Sequence, residues 1–537
     1  MQKILIANRG EIAVRIIRAC RDLGLASVAV FSEGDRGARH VRMADEAVAI
    51  GPSPPRESYL RGHALVEAAL AAGADAVHPG YGFLAENSVF AAACADAGLT
   101  YIGPTPQAIA LMGNKTAARD AARAAGVPIV PGTTTPLEAE ASDAALAAAA
   151  RRVGYPVMVK AVAGGGGKGM RVVAGAADLA SAVRGARSEA GSSFGDSAVY
   201  FERQLQRPRH IEVQVLADQH GTVLPFVERE CSIQRRHQKV IEESPSIAVS
   251  PRLRRRLLRA AAAVAASVGY TNAGTIEFLL DENGRFYFLE MNTRLQVEHP
   301  ITELVTGVDL VAWQIRIARG ERLDLAAKAV GTARGHAIEC RIYAEDPDAG
   351  FLPSPGRLLG LRVPDGPGVR DDSGVDAGDD ISTHYDPLVS KLIVWGETRE
   401  QATARMARAL REYEVLGVRT SLPFFRWMLQ QPSFARGEFH TGSLDELLQS
   451  RRGAAFEAAD LSRAEVADVA GIADVAAIAV ALRAATAADY AGDALTGGAA
   501  SGPDMATRGG ARVVARAALA GPRTGWKATA RLEGLRG

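Results

Sequence analysis

Short apolar runs at residues 3–7, 27–32, 46–50, 76–79 and 100–102 punctuate the first 112 residues, with helical patterns between them. Between the first two runs, Ile12, Ile16, Cys20 and Leu23 recur at the spacing of one helical face. Alternation of this kind predicts a parallel, doubly wound sheet, whose ligands gather at the carboxyl ends of the strands. The loops at those ends read Asn8-Arg-Gly-Glu11 and His78-Pro-Gly-Tyr-Gly-Phe83. The first is not the Gly-x-Gly-x-x-Gly dinucleotide fingerprint, which argues against a nicotinamide enzyme.

Residues 113 to about 131 read as a connecting helix and turn. From 132 to about 202 a small unit carries a strand (Pro156 to Ala161), a glycine run and a second strand (Met170 to Ala174). From 203 to about 449 the pattern becomes one of alternating strands such as His210-Ile-Glu-Val-Gln-Val-Leu216, which predicts a half-buried antiparallel sheet. The remainder, 450–537, is rich in Ala, Gly and Arg; 459–486 reads as helical and 494–510 as a linker.

Composition mainly excludes. A formal net charge of +1 gives no electrostatic case for nucleic acid or an anionic membrane. No run approaches the ~20 apolar residues of a membrane span. Leu258 to Tyr270, short, Ala-rich and preceded by arginines, reads as a helix packed on a core. Cys20, Cys94, Cys231 and Cys340 form no Cys-x-x-Cys pair, hence neither a zinc site nor a disulfide framework. The chain opens on a strand rather than a signal peptide, and the expected location is cytoplasmic.

Three segments carry chemistry. In Lys160-Ala-Val-Ala-Gly164-Gly-Gly-Gly-Lys168-Gly-Met170, consecutive glycines let backbone N–H groups converge on an anion that the lysines neutralise. Gly169 follows the second lysine where a Walker A loop has Ser or Thr, so a mobile flap over phosphates is the better reading. The alternative is a flexible hairpin tip.

The second segment, Thr275 to Asn292, is a hairpin centred on Asn283-Gly284. A two-residue turn pairs Glu282 with Arg285 and thereby sets Glu277 opposite Glu290. Facing carboxylates about 5 Å apart repel unless a divalent cation sits between them, and two hard oxygen ligands suit magnesium. Asn292 lies on the same face. If the strand stays extended, Arg294, Gln296 and Glu298 also project with Glu290, placing an oxyanion grip and a carboxylate base beside the metal. The alternatives are a solvated pair and a polar edge-strand face. The third segment, Glu228 to Lys239, reads as a dense polar and cationic loop after a strand; it lacks the interleaved aromatics of a nucleic-acid patch. Cys231 reads as a buried small residue.

Together these residues resemble the biotin carboxylase component of acyl-CoA and pyruvate carboxylases, within the ATP-grasp superfamily. The resemblance covers residues 1 to about 449. It rests on Ile6 to Ile12, His78 to Asn87, the glycine run, Gln234 to Lys239, Glu290 to His299, Glu339-Cys-Arg341 and Tyr385-Asp386. It implies an α/β ATP-grasp fold: an N-terminal doubly wound domain (1–112), a linker (113–131), a small mobile lid (132–202) and a larger α+β domain (203–449). It further implies ATP contacts at Lys115, Lys160, Gly166, Gly167, Glu202, Leu205, His210, Gln234, His237, Glu277 and Glu290. Magnesium or manganese would be held by Glu277, Glu290 and Asn292. Bicarbonate would sit at Lys239, Arg294, Gln296 and Val297, with Glu298 as the base. Arg341 would stabilise the biotin enolate, with Tyr385 and Asp386 on the biotin side.

The implied partners are a biotin carboxyl carrier protein or domain, a carboxyltransferase subunit and a second copy of the chain, with no nucleic acid or membrane. The longer relatives' biotinyl motif, Ala-Met-Lys-Met, has no counterpart here; Lys527 in Gly525-Trp-Lys-Ala528 lacks the flanking methionines. The expectation is that biotin arrives on a separate carrier, or that the chain is truncated. Another ATP-grasp ligase forming an acyl phosphate, such as a carbamoyl-phosphate-forming enzyme, is the nearest enzymatic rival. A non-catalytic nucleotide-binding subunit is the rival of another class.

Overall fold

The computed structural model describes residues 1–137, 141–162 and 170–456. The glycine run at 163–169, with Gly166 and Gly167, lies outside the described residues, as do the expected helix at 459–486 and linker at 494–510.

Strands β1 (Lys3–Ile6), β2 (Ala26–Ser32), β3 (Glu46–Gly51), β4 (Ala76–His78) and β5 (Thr100–Tyr101) form a parallel sheet in the order β3-β2-β1-β4-β5. Every strand end falls within one residue of its sequence reading. Helix α1 (Gly10–Asp22) follows β1 and buries Ile12, Ile16 and Cys20. The strand order reverses beside β1, so the Asn8 and His78 loops meet at the switch point. The Asn8 amide sews them together, donating to the carbonyls of Pro79 (2.7 Å) and Tyr81 (2.8 Å). A Cβ on Gly80 would come within 3.0 Å of that amide, and its φ of +64° disfavours any side chain.

Helix Lys115–Ala124 leads into a three-stranded antiparallel sheet of β6 (Val157–Ala161), β7 (Arg171–Val173) and β8 (Val199–Arg203), ordered β7-β6-β8. The small sheet buries Val157, Val159 and Phe201 against helices Asp143–Val153 and Leu179–Phe194. The glycine run thus joins two paired strands.

The largest sheet is antiparallel. It contains β9 (Arg209–Ala217), β10 (Val223–Pro225), β11 (Arg229–Arg235), β12 (Gln238–Ser244), β13 (Asn272–Leu280), β14 (Phe286–Asn292) and β15 (His336–Tyr343). Its order is β14-β13-β9-β11-β12-β15, then strand Leu388–Gly396, then strand Val369–Ser373, with β10 on β9. Helix Pro251–Ser267 packs Leu253, Leu257, Ala261 and Val264 onto it; this is the core-packed helix expected over Leu258 to Tyr270, but it starts earlier and takes in the arginines.

Two expectations fail here. The alternation in β9 does not mark a half-solvated sheet: Glu212 and Gln214 are fully buried and His210 nearly so. Their face is covered by charged side chains of neighbouring segments, which supply the hydrogen bonds that water would otherwise make. Glu228 to Lys239 is likewise no loop. Most of it is strand, and Arg236 and His237, at φ of 49° and 67°, form the tight turn joining β11 to β12.

Candidate active site

The β13–β14 hairpin reaches its register by a route the sequence did not disclose. The turn closes Asp281 on Arg285, with the Asp281 N–H donating to the Arg285 carbonyl at 2.8 Å, and not Glu282 on Arg285. The loop therefore holds three residues, with Gly284 at φ +73°. That offsets pairing by one, so Phe278 faces Phe288 and Leu280 faces Phe286. A bulge at Leu289 restores the offset, and Glu277 faces Glu290 after all.

The strand then ends at Asn292, and 293–298 turns into helix His299–Thr306 instead of staying extended. The polar side chains nevertheless converge by folding back. Arg294 donates to Gln296 Oε1 (2.9 Å) and Asn292 Oδ1 (3.2 Å). Gln296 Nε2 and Asn292 Nδ2 donate to Glu277 Oε1 at 3.2 and 2.9 Å.

Lys239, two residues into β12, is the hub. Its ammonium lies 2.7 Å from Glu277 Oε1, 2.7 Å from Glu298 Oε1 and 2.5 Å from Glu212 Oε2. Burial alone would lower the Lys239 pKa, but Glu212, Glu277 and Glu298 hold it well above the usual range. The converse holds for Glu298, which is fully buried: burial would raise its carboxyl, yet Lys239, then Arg341 and Arg229, keep it well below the usual range. Arg341, on β15, reaches Glu298 Oε2 at 3.0 Å and Glu242 Oε1 at 2.6 Å. Glu345, beyond the end of β15, is occupied by Arg235 (2.7 Å), so Arg341 makes no salt bridge to it.

Glu277 and Glu290 differ in character. Burial would raise Glu277, but Lys239 and His210, the latter 3.1 Å away, hold it low. Glu290 is raised by burial and by Glu277, against the pull of Lys115. Glu290 is thus the carboxylate whose repulsion is unrelieved, and an incoming cation would relieve it. Two facing carboxylates with an amide oxygen beside them are a donor set that fits magnesium or manganese.

The remaining predicted residues among those described line one cleft of about 1070 Å³. Lys115 starts its helix, just after the Asn114 cap. Lys160 and Arg119 both pair with the Glu202 carboxylate, while Leu205 follows on the loop after β8. Gln234 Nε2 meets His210 Nδ1 at 3.0 Å, and His237 is exposed in its turn. Tyr385 Oη is 2.5 Å from both Ser32 Oγ and the Ser53 carbonyl, under the Arg9 guanidinium. Asp386 and Val297 also line the cleft.

Several residues at the centre were not singled out from sequence. Glu86 accepts from Arg294 Nε (2.9 Å) and the Thr293 N–H (3.1 Å). Glu212 and Glu242 are fully buried against Lys239 and Arg341. Glu212 shared a strand face with His210, a usable signal; Glu242, next to Glu243 in Val240-Ile-Glu-Glu243, had none that singled it out.

The chain is similar to known proteins over most of its length. Residues 1–109 match the biotin carboxylase N-terminal domain, 114–326 the ATP-binding domain of the carbamoyl-phosphate synthase L chain, and 339–446 the biotin carboxylase C-terminal domain. The biotin carboxylase of Nostoc sp. is 53% identical over 445 residues, 83% of this chain and 99% of the relative. The alpha subunit of rice mitochondrial methylcrotonoyl-CoA carboxylase is 50% identical over 439 residues, 81% of this chain but 59% of that longer protein. The crystallised biotin carboxylase domain dimer of Hydrogenobacter thermophilus 2-oxoglutarate carboxylase, in complex with MgADP, ADP and bicarbonate, is 45% identical with a TM-score of 0.80. That match covers 84% of this chain and 99% of that one. The ATP-binding module alone would be compatible with a carbamoyl-phosphate-forming enzyme, but here it stands between two domains of a different family. With those flanks, and with relatives matched over nearly their whole length, the chain belongs to the biotin carboxylase family of ATP-grasp enzymes.

Proposed function

We propose that this protein uses ATP and bicarbonate to carboxylate biotin borne on a carrier, the first half-reaction of an acyl-CoA carboxylase of the acetyl-, propionyl- or methylcrotonyl-CoA type. The observation that carries this reading is the fully buried Glu298 carboxylate gripped from two sides by Lys239 and Arg341, with Arg294 and Gln296 alongside. Bicarbonate is an anion that must lose a proton as it becomes a nucleophile. A site for it needs fixed cations and an ionised carboxylate together.

In this reading Lys239, Arg294, Gln296 and the Val297 backbone hold bicarbonate, and Glu298 takes its proton. A bicarbonate oxygen attacks the γ-phosphorus of ATP, giving carboxyphosphate and ADP. Carboxyphosphate splits to carbon dioxide and phosphate, and phosphate takes the ureido N–H proton of biotin. The resulting nitrogen anion attacks carbon dioxide while Arg341 stabilises charge on the ureido oxygen. Lys115, Lys160, Gly166, Gly167, Glu202, Leu205, His210, Gln234 and His237 hold ATP. Glu277, Glu290 and Asn292 would hold the metal, which would supply charge neutralisation for the phosphates. Tyr385 and Asp386 border biotin.

The domains we assign are 1–112, a linker at 113–131, a lid at 132–202 and 203–449, with 450–537 as an extension carrying no assigned chemistry. The enzyme works as a cytoplasmic homodimer with a biotin carboxyl carrier and a carboxyltransferase. In support, the Hydrogenobacter domain is a dimer, and no helix among the described residues is long and apolar enough to cross a membrane. The decisive assay is ATP cleavage as a function of bicarbonate, with and without free biotin. Bicarbonate-dependent release of ADP, stimulated by biotin, is expected; hydrolysis indifferent to bicarbonate would overturn the reading.

The metal assignment has its own test. Glu290→Gln is expected to raise the magnesium concentration needed for half-maximal activity while leaving the fold intact. It removes the raised carboxylate of a repelling pair, so melting without magnesium should be unchanged or slightly higher. A magnesium titration superimposable on wild type would refute it.

A further inference from the structure

Lys391 has no role in the reaction as read above, yet it is fully buried behind the loop that carries Glu298. It lies on strand Leu388–Gly396, directly across from Arg341. Its ammonium is 3.1 Å from Glu11 Oε2 on α1 and 3.9 Å from Asp372 Oδ2 on strand Val369–Ser373. It also donates to the Val297 carbonyl at 3.0 Å and faces the Tyr81 ring, 5.8 Å from its centroid.

The carboxylates explain how an ammonium survives without water. They do not explain the bond to Val297. That carbonyl belongs to the residue immediately before Glu298, at the turn where the chain leaves 293–296 and enters helix His299–Thr306. The neighbouring Gln296 carbonyl is also held, by His299 Nδ1 at 2.7 Å. Successive carbonyls of this turn are therefore fixed by side chains, and the turn sets where the Glu298 carboxylate points. We propose that Lys391 is a positioning residue: by holding the Val297 carbonyl it fixes the turn that aims Glu298 at Lys239 and Arg341. The proposal rests on Glu298 being the base.

The competing account is that Lys391 only neutralises Glu11 and Asp372. Lys391→Met and the charge-balanced Lys391→Met/Glu11→Gln separate the two. We would measure kcat and KM for bicarbonate in ATP cleavage, ATP affinity, and Tm. Lys391→Met is expected to lower kcat about 10- to 100-fold, the scale of a small misplacement of a reacting group, with ATP affinity unchanged. The charge-balanced variant should recover Tm but not kcat, and it carries the comparison if the single variant does not fold. In a Glu298→Gln background, Lys391→Met should cause no further loss, because a residue acting through Glu298 has nothing left to position. Wild-type kcat in the charge-balanced variant, or losses that multiply in the Glu298→Gln background, would overturn the proposal. A Glu298→Gln enzyme that cleaves ATP at the wild-type rate would instead remove the base on which the proposal rests.

Discussion

Replacing Glu298 with Gln is expected to reduce bicarbonate-dependent ATP cleavage by about 10²- to 10⁴-fold, the usual contribution of a positioned general base. The substitution is nearly isosteric and keeps an oxygen for Lys239, so ATP affinity should survive. What is lost is the only negative charge that touches both Lys239 (2.7 Å) and Arg341 (3.0 Å) among the described residues. A carboxylate held as low as Glu298 is a weak base in the empty site. The bound anion changes this: once Lys239 and Arg294 turn part of their charge to bicarbonate, and its own negative charge sits beside Glu298, the carboxylate becomes more basic where it is needed.

The same low pKa makes a statement about stability. An ionised Glu298 stabilises the fold at pH above its unfolded value, ~4.3, and that contribution disappears as pH falls through the lower folded value. Glu298→Gln should therefore lower Tm at neutral pH and converge on wild type in acid. The experiment is ADP release against bicarbonate together with melting between neutral and acidic pH. A variant with normal bicarbonate-dependent turnover would exclude Glu298 as the base.

The parts of this site that could be read from sequence are those encoded locally. The five strands of the first sheet were legible because each is a short apolar run with polar borders. The Glu277–Glu290 pairing was also legible, but partly by cancellation. A two-residue turn was assumed, and the three-residue loop that forms is compensated by the bulge at Leu289. Sequence alone carries no signal for a bulge between Phe288 and Glu290, since it is a choice of backbone and not of side chain. The extended reading of 293–298 gathered the correct side chains through an incorrect backbone, because short polar side chains around a turn can converge as well as alternate ones on a strand.

The residues that stayed hidden share a different cause. Lys391 lies in a largely apolar strand and Glu242 beside Glu243 in a mixed one, and nothing local says that either charge is matched from elsewhere. Glu242 is matched by Arg341, and Lys391 by Glu11, Asp372 and the Val297 carbonyl. Such pairings exist only once β12, β15 and strand Leu388–Gly396 lie side by side. The polar face of β9 was misassigned to solvent for the same reason.

Arg341→Met is the sharper test of how the two halves of the reaction are divided. If Arg341 stabilises the biotin enolate, its loss should reduce biotin carboxylation by about 10²- to 10³-fold, the effect of removing one oxyanion donor. ATP affinity should be unaffected, since the residues assigned to ATP lie on other segments. The structure adds a consequence for the first half-reaction. Arg341 is second only to Lys239 among the cations that hold Glu298 low, so its removal raises the Glu298 pKa. The acid limb of bicarbonate-dependent ATP cleavage should then move to higher pH, with near-normal rates on the alkaline side.

Removing one partner of a buried ion pair destabilises by about 3–5 kcal/mol when the other charge is stranded. Glu242, however, can escape by taking a proton: burial already holds it up at about 7 against the pull of Arg341, and losing Arg341 raises it further. A folded-state pKa above the unfolded value means that the folded protein binds more protons, so the variant loses stability as pH rises and regains it in mild acid. The signature is a melting deficit that opens as pH rises above about 7, beside intact ATP binding and a selective loss of carboxylation. A pH-independent fall in Tm, with ATP affinity and carboxylation lost in parallel, would show that Arg341 is a structural cation and that the biotin enolate is stabilised by another group.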